Sequence, residues 1–326
     1  MTDDDTTLFS EVRRSCANVA RHSQQVHINN DRLVEFAHRL NVDRPSNDPG
    51  QRPIGDSEST AAFVLTLDAI NFGSGYFPYL RKRPGHSGYH TVAASLRDWV
   101  DDTGPITSDR LRAHGVADWA DVFGQVLDGS PAQELIELFT LALIDLADFV
   151  DHYGNGSFSS VIAHAEQSAD RLARALTTMP FYRDVHHHPH AGPVALYKRA
   201  QITVQDLAVA FGHEGLGHFD DLDQLTMFAD NLVPHVLRLN DVVEFDREIL
   251  AAIDEGRDIP VGGQAEVEIR ACAVHAVELL ADAIRNRPTD PRPDLLVGDL
   301  DNVLWNTGSE PQYKAVARHR SRCVFY

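Results

Sequence analysis

The sequence predicts an all-α protein. Apolar residues recur at the three- and four-residue spacing of a helix face, for example at Val161, Ile162, Ala165, Ala169 and Leu172. No alternation of apolar and polar residues runs long enough to predict a strand of useful length. No repeat at a fixed period is evident. We therefore expect one helical domain over 1–326, with two packed lobes of about 1–155 and 156–326 as a subdivision.

The first half of the chain is predicted to form short helices separated by loops rich in proline and glycine. Short amphipathic helices are predicted at 8–22 and 31–40, followed by a connector at 41–60 that is rich in proline, glycine and acids. By periodicity alone the apolar run at 61–72 could be a helix or a strand. We favour a helix because the run is long and follows the cap candidates Ser57, Ser59 and Thr60. A glycine- and proline-rich loop is then predicted at 73–89, and amphipathic helices at 90–101, 107–114, 116–128 and 131–151.

Residues 219–239 are predicted to form a helix, a turn and a second helix. The segment FDDLDQLTMF carries acids where the amino end of a helix favours them, and ADN reads as a turn. VPHVLRL then begins a helix with Pro234 in its first turn, where the missing N–H costs least. Asp230 lies in the turn, and its commonest role there would be to cap the second helix. A catalytic role requires further support.

Composition indicates a folded soluble protein and excludes some partners. The chain has 43% hydrophobic residues and a formal net charge of −19, and only three of its 29 basic residues are lysines. A field of this sign repels polyanions, so no long nucleic acid is expected as partner. The three cysteines are widely spaced and predict neither a disulfide framework nor a zinc site. No apolar run approaches the ~18 residues of a membrane span, and we expect a cytoplasmic protein without a membrane partner.

Several ordered blocks carry a resemblance to a known family. They are LDAINF (67–72), FYRD (181–184), YKRAQ (197–201), LTMFAD (225–230), EVEIRA (266–271) and DNVLW (301–305). In this order they resemble the queuosine salvage proteins, which are queuosine 5′-monophosphate N-glycosylases. The resemblance covers most of the chain. It implies an all-α fold similar to the helix-hairpin-helix DNA glycosylases, with Asp230 as the catalytic carboxylate.

The chemistry of the implied reaction requires such an acid. Cleavage of a base from ribose passes through a cationic, oxocarbenium-like sugar, which a fixed carboxylate stabilises. A 7-deazaguanine base lacks the purine nitrogen that is usually protonated to help departure, so more of the catalysis falls on the sugar side. Asp230 would be held ionised by Lys198 or Arg199, and Lys198 could instead meet the 5′-phosphate. Asp230 could act as nucleophile, as base toward water, or as a fixed charge.

The resemblance also implies substrate-binding residues. The block with Asp68, Asn71 and Phe72 lines the nucleobase side in the family, where an aromatic face and an amide suit stacking and edge recognition. Ordinary core packing, with Asn71 as a helix stop, is the alternative. Asp206 lies about two helical turns after Lys198 and could bind ribose or the base edge, or pair with Lys198.

Further blocks supply candidates nearer the end of the chain. Asp301 is placed near the pocket by the resemblance. His235 stands where the family commonly has glutamine after Val-Pro, and it is a substrate-binding candidate. Glu266 and Arg270 are spaced i, i+4 and could simply pair on their helix. The basic run 81–83 could meet a phosphate, although such a run is more often solvated.

Two histidine-rich patterns do not predict a metal site. His213, Glu214 and His218 superficially resemble a zinc protease motif, but the histidine spacing is five and three glycines interrupt the helix that the motif requires. The run HHHPH at 186–190 reads as a surface loop. We predict no metal and no other cofactor.

The sequence leaves two alternative functions. The first is hydrolysis of the N-glycosidic bond of a 7-deazaguanine nucleotide such as queuosine 5′-monophosphate, and the second is binding of a nucleoside or modified base without cleavage. A purely structural helical adaptor is less favoured, because adaptor packing does not require these blocks together. The expected partner is a small nucleotide or nucleoside.

Overall fold

The computed structural model describes residues 6–43 and 53–326 and confirms a mostly helical protein. The predicted connector at 41–60 lies partly outside the described residues. The helices are α1 Leu8–His22, α2 Asn30–Arg39, α3 Ser57–Ala69, α4 Gly88–Thr103, α5 Ser108–Ala113, α6 Val116–Val122, α7 Pro131–Tyr153, α8 Phe158–Ala163, α9 Ala169–Leu176, α10 Lys198–Ala210, α11 Leu232–Leu239, α12 Arg247–Asp254, α13 Gln264–Arg285, α14 Val297–Gly308 and α15 Pro311–Lys314.

Short strands accompany the helices, and the sequence reasoning missed them. They are β1 Val26–Ile28, β2 Val185–His188, β3 Gly192–Ala195 and β4 Val243–Phe245. β1 pairs antiparallel with β4, and β2 pairs antiparallel with β3. At three or four residues each, these strands are too short to show a period-two pattern in the sequence. The surface loop predicted at 186–190 is wrong, since its first residues form β2 and the side chain of His188 is fully buried.

The ambiguous apolar run after the connector is a helix, as predicted. α3 buries every residue from Thr60 to Ala69, so it has no polar face and its periodicity cannot reveal its type. Its cap is Asp56, whose side chain accepts a hydrogen bond from Ser59 N, rather than one of the three predicted cap residues. The helix ends at Ala69, which leaves Asn71 and Phe72 just beyond it.

The chain divides into two units, and neither is a continuous stretch. Unit 1 contains the described residues of Met1–Ser46, Asp184–Lys198 and Asp223–Ser321. Unit 2 contains those of Asn47–Arg183, Arg199–Leu222 and Arg322–Tyr326. The boundary expected near residue 155 falls inside unit 2, because residues up to 183 and again from 199 belong to it.

Unit 1 is built around α13. This helix is buried along almost its whole length, and α1, α2, β1, α11 and α14 all pack against it. A helix with this many apolar positions needs neighbours on several sides. Its first turns also bury three charged residues, Glu266, Glu268 and Arg270, all with no exposed surface. Buried charges must be paired, so each of these three side chains needs a hydrogen-bonding or charged partner.

Unit 2 is built around α7. The helices α3, α5, α6 and α8 pack against α7, whose inward positions include Leu135, Phe139, Leu143 and Leu146, all with no exposed surface. These positions follow the predicted helical spacing.

The first helix predicted in the 219–239 pattern is wrong. Leu225–Asp230 has no regular secondary structure, and only a single 3₁₀ turn, Leu222–Gln224, precedes it. Five consecutive residues from Leu225 to Ala229 are buried, which a one-sided helix would not produce. Side chains satisfy the backbone instead: Leu225 O accepts from Arg13, Phe228 N donates to Asp301, and Ala229 O accepts from Arg270.

Candidate active site

Asp230 stands at the end of this irregular segment, immediately before α11. One carboxylate oxygen, Oδ1, accepts hydrogen bonds from Leu232 N and Val233 N, both at 2.9 Å. Asp230 is therefore bound to the start of the helix, as the capping interpretation predicted. Among the described residues no donor is bonded to its other oxygen, Oδ2, and Asp230 is the only residue of Leu225–Asp230 that is not fully buried. The carboxylate is therefore fixed at the start of α11 through one of its two oxygens.

Opposing influences act on the charge of Asp230. Burial raises its pKa above the ordinary value, whereas the amides of Val233 and Leu232 and the positive charges of Lys198 and Arg318 lower it. The net direction is upward. The helix amides and the two cations therefore offset only part of the cost of placing a carboxylate there, and they do so by favouring its ionised form.

Asp301 is a second buried carboxyl group, on α14. Its Oδ1 accepts a hydrogen bond from Phe228 N at 3.0 Å, two residues before Asp230. Burial, and next the negative charge of Asp230, raise the pKa of Asp301 well above its ordinary value. Asp301 therefore keeps its proton to a higher pH than an ordinary aspartate, and repulsion between the two acids opposes their simultaneous ionisation.

Lys198 begins α10 and is almost fully buried. Its backbone N donates to Asp184 Oδ2 at 3.3 Å, and Tyr197 before it has a positive φ of 47°, which turns the chain sharply into the helix. The charge of Lys198 lowers the pKa of both Asp230 and Asp301. The structure thus brings together three of the predicted site residues, Lys198, Asp230 and Asp301, within unit 1.

The sequence reasoning missed Arg318, the second cation that acts on Asp230. Its own pKa is lowered by burial and raised by Asp230. Arg318 lies outside every block that carried the family resemblance. Because it sits among other basic residues in ARHRSR, its composition offers no signal that separates it from a solvated run.

His235 lies on α11 with both ring nitrogens engaged. Nε2 is 3.0 Å from Tyr313 O, and Nδ1 is 3.2 Å from Arg238 Nη2. A neutral ring that donates from Nε2 and accepts at Nδ1 satisfies both contacts. Burial lowers the pKa of His235 to about 4, which favours this neutral form. These contacts hold α11 against the segment around α15, and they leave the ring no nitrogen for a substrate in this conformation.

The predicted residues of unit 2 form a separate group. Asn71 Nδ2 donates to Asp68 Oδ1 at 3.3 Å, at the end of α3. The Phe72 ring packs edge-on against Phe139, with centroids 5.1 Å apart, and the Arg199 guanidinium lies 4.7 Å from its centroid. With 1% of its surface exposed, Phe72 is part of the core of unit 2. Its role at a nucleobase stays a prediction.

Arg199 and Asp206 lie on α10 within unit 2, and both are buried. The Arg199 guanidinium donates to Ala69 O at 2.5 Å and to Phe181 O, which ties the end of α3 to the segment before β2. The basic run 81–83 is largely exposed, and Arg83 forms a 2.7 Å ion pair with Asp98. This pairing agrees with the interpretation of the run as a solvated surface.

The histidine-rich patterns have structural partners. His188 Nε2 is 3.0 Å from Glu268 Oε1, and His186 Nε2 is 2.8 Å from Asp184 Oδ1. The segment with His213 and His218 forms turns and one 3₁₀ turn, so the α-helix that a zinc protease motif needs is absent there. Over residues 6–43 and 53–326, no group of three or more histidine, cysteine or acidic side chains is arranged to hold a metal ion.

In the described part, no helix combines the length and the low polarity needed to cross a membrane.

Comparisons with known proteins extend over nearly the whole chain. The model of the family described as "Queuosine salvage protein" matches residues 51–326. A queuosine 5′-phosphate N-glycosylase/hydrolase of Sphaerobacter thermophilus is 31% identical over 322 residues, which cover 97% of each chain. Proteins of the same name are 33% identical in Dictyostelium discoideum, over 83% of this chain and 79% of the relative, and 28% identical in Mus musculus, over 84% of each.

Proposed function

Because the chain belongs to the queuosine salvage protein family, we propose that it hydrolyses the N-glycosidic bond of queuosine 5′-phosphate. The products are the free 7-deazaguanine base and ribose 5-phosphate. The name shared by its relatives supports this reaction, and the geometry of Asp230 in unit 1 supports the assignment of the acid.

The observation that carries the proposal is the asymmetric binding of the Asp230 carboxylate. Oδ1 is held by two helix amides at 2.9 Å, while Oδ2 accepts no hydrogen bond from the described residues. An electrostatic catalyst must be fixed before the reaction, because reorganisation during the reaction would cost part of the stabilisation. The two amides fix the group, and the second oxygen is available to the sugar.

In the proposed reaction the bond between C1′ and the base nitrogen breaks, and the bonding electron pair leaves with the base. Positive charge develops on the ribose, and the ionised Asp230 stabilises it. Water then forms the new C1′–O bond and releases a proton. The departing base nitrogen takes up one proton, so no net proton is gained or lost. Asp301 has a raised pKa and lies 3.0 Å from Phe228 N, two residues before Asp230, so we propose it as the donor of that proton.

Lys198 has two contributions in this proposal. Its positive charge favours the ionised form of Asp230, and an ammonium group is also suited to meet a phosphate as a point charge. Asp68, Asn71, Phe72, Arg199, Asp206 and His235 stay sequence-based predictions of substrate contacts.

The test is release of free base by the wild type and by Asp230→Asn. Asparagine keeps an oxygen for the two amides but removes the charge, so we expect base release to fall by roughly 10²-fold or more while the variant stays folded. The variant and wild type are incubated with queuosine 5′-phosphate, queuosine and ordinary nucleotides, and free base is followed by chromatography.

The same samples distinguish cleavage from simple binding. A ligand at ~100 times its dissociation constant adds about 2.7 kcal/mol to the free energy of unfolding, which a thermal shift detects. Stabilisation of the wild type by queuosine 5′-phosphate without base release would replace the hydrolase by a binding protein. Full activity of Asp230→Asn would remove Asp230 from the reaction.

A further inference from the structure

The Arg270 guanidinium lies at the centre of a fully buried network in unit 1. Nη1 and Nη2 donate to Asp184 Oδ1 and Oδ2, at 3.0 and 2.5 Å respectively. Nη1 is also 3.2 Å from Glu266 Oε1, one turn earlier on α13. Nε donates to Ala229 O at 2.9 Å. The planar guanidinium group is thus bound on two sides, by a carboxylate and by a main-chain carbonyl.

Both ends of this network lead to the proposed catalytic residues. Ala229 is bonded covalently to Asp230, so the contact of Arg270 with Ala229 O fixes the peptide from which Asp230 extends. At the other end Asp184 Oδ2 accepts from Lys198 N at 3.3 Å. The backbone carbonyl of Asp184 also accepts from Leu196 N at 3.0 Å, at the end of β3. One ion pair therefore connects the main chain at Asp230 to the main chain at Lys198.

Stability alone does not account for such a pair. Removing two charges from water is expensive, and buried ion pairs can often be replaced by apolar residues without loss of stability. What a bidentate arginine–carboxylate pair supplies in addition is direction, because two parallel hydrogen bonds fix distance and angle together. The segment that carries Asp230 has no regular secondary structure of its own, so it depends on side chains for its position.

We propose that Arg270, through Asp184 and Ala229, is a positioning residue that sets the separation of Lys198 and Asp230 for the glycosidase reaction. The inference rests on the proposed function. It assigns Arg270 no contact with the substrate. It predicts that a change in the shape of the cation, with its charge retained, impairs the chemical step more than substrate binding.

The test is Arg270→Lys, which keeps the charge but loses the two-pronged contact with Asp184 together with the bond to Ala229 O. A misplacement of about 1 Å can cost roughly 10²-fold in rate, so we expect kcat to fall by about 10- to 100-fold with KM changed by less than about threefold. The acid limb of the pH profile of kcat should also move, because the separation of Lys198 and Asp230 contributes to the pKa of Asp230.

The matched control is Arg287→Lys. Arg287 is also buried in unit 1, where it binds Ala37 O and Leu40 O, each at 3.3 Å, and pairs with Asp290. The same substitution there should lower the thermal midpoint without altering kcat or its pH profile, when the assay is run well below that midpoint.

A second variant protects the test against misfolding. Asp184→Asn keeps the size of the side chain but weakens its hold on both Arg270 and Lys198 N. It should reproduce the loss of kcat, and the effects of Asp184→Asn and Arg270→Lys should be less than additive in the double variant. Equal kcat and pH profiles in Arg270→Lys and Arg287→Lys would overturn the positioning role. An inactive wild type in the same assay would overturn the proposed function and this inference with it.

Discussion

Asp230 and Asp301 are two carboxyl groups that differ in the groups that favour their ionisation. Two helix amides and two cations lower the pKa of Asp230, whereas Asp301 has one amide and one cation, Lys198, and receives the negative charge of its neighbour. Asp301 therefore carries the larger cost of ionisation in the folded protein. This cost lowers the free energy of unfolding at pH values where Asp301 must ionise, so it can be measured without any substrate.

We expect Asp301→Asn to stabilise the protein at neutral pH. An acid whose folded pKa is raised holds its proton in the folded state, so the free energy of unfolding falls by about 1.4 kcal/mol per pH unit between the unfolded pKa near 3.8 and the folded pKa. Asparagine does not titrate and still offers an oxygen to Phe228 N. The variant and the wild type should have similar stability near pH 4 and diverge as the pH rises, as followed by urea unfolding at a series of pH values.

Asp299→Asn is the control for this prediction, because Asp299 lies on the same helix but is exposed. Its effect should stay within about 0.5 kcal/mol over the same pH range. A stability difference between Asp301→Asn and the wild type that does not change with pH would contradict the shifted ionisation of Asp301.

Single residues also show where sequence reasoning succeeds and where it ends. The position of Asp230 at the start of α11 could be predicted because an acid before a proline-containing helix start has a local pattern, whereas its catalytic role stays a prediction from the resemblance. Arg318 could not be assigned, because its approach to Asp230 depends on the fold and leaves no mark among the neighbouring arginines. Glu266 and Arg270 do pair, as their i, i+4 spacing allowed, but their burial and the link to Asp184 are long-range properties.

At the scale of elements, burial decides where the predictions hold. α1, α2 and α7 each have one apolar and one polar side, and their bounds agree with the predicted ranges within two residues. Residues 219–228 were predicted as a helix because of the acids at their amino end, but the backbone of Leu225–Ala229 is bonded by Arg13, Arg270 and Asp301, which are distant in sequence. Local propensity cannot anticipate partners of that kind.

Glu268, one of the three charged residues buried at the start of α13, fixes the connection from α1 to β1. Its carboxylate accepts from the backbone N of Gln24, Gln25 and Val26, at 2.7 to 3.1 Å, and from Ser23 Oγ at 2.6 Å. Burial alone would raise the pKa of Glu268, but hydrogen bonds outweigh it and lower the pKa to about 2, first the bond with His188 and then those from Ser23, Gln264 and Gln25 N. The connection therefore depends on an anion.

We expect Glu268→Gln to destabilise the protein by about 3–5 kcal/mol at neutral pH, because the amide NH₂ group would face backbone donors. The contribution of the carboxylate is complete above its unfolded pKa near 4.5 and is lost as the pH falls toward 2. Chemical unfolding should therefore show a gap between the variant and the wild type that narrows below pH 4.5.

Glu278→Gln, on the same helix, provides the comparison. Glu278 pairs with Arg13 at 3.0 Å, but burial raises its pKa and so opposes its charge. Removing that charge should therefore cost about 1 kcal/mol or less. An equal loss of unfolding free energy in the two variants would show that the bonds from residues 23–26 contribute no more than the single ion pair of Glu278.

For the whole molecule the dominant electrostatic property is the net charge of −19. Like charges repel most strongly when the chain is compact, and salt screens that repulsion. We expect the thermal midpoint to rise when NaCl increases from about 10 mM to about 300 mM, where the Debye length is well below 10 Å. Calorimetry in the two buffers tests this. A lower midpoint at high salt would mean that attractive ion pairs outweigh the net repulsion.

The interleaving of the two units in sequence has a consequence for synthesis. Arg13 on α1 pairs with Glu278 on α13, 265 residues later, so unit 1 cannot complete its core until most of the chain has left the ribosome. At translation rates of about 5–20 residues per second this delay is roughly 13–50 s. Unit 2 takes most of its residues from one stretch, 47–183, and can begin to fold within that interval. During the delay the apolar side of α1 lacks α13, the helix against which it packs most extensively, so we expect the nascent chain to depend on chaperones until α13 emerges.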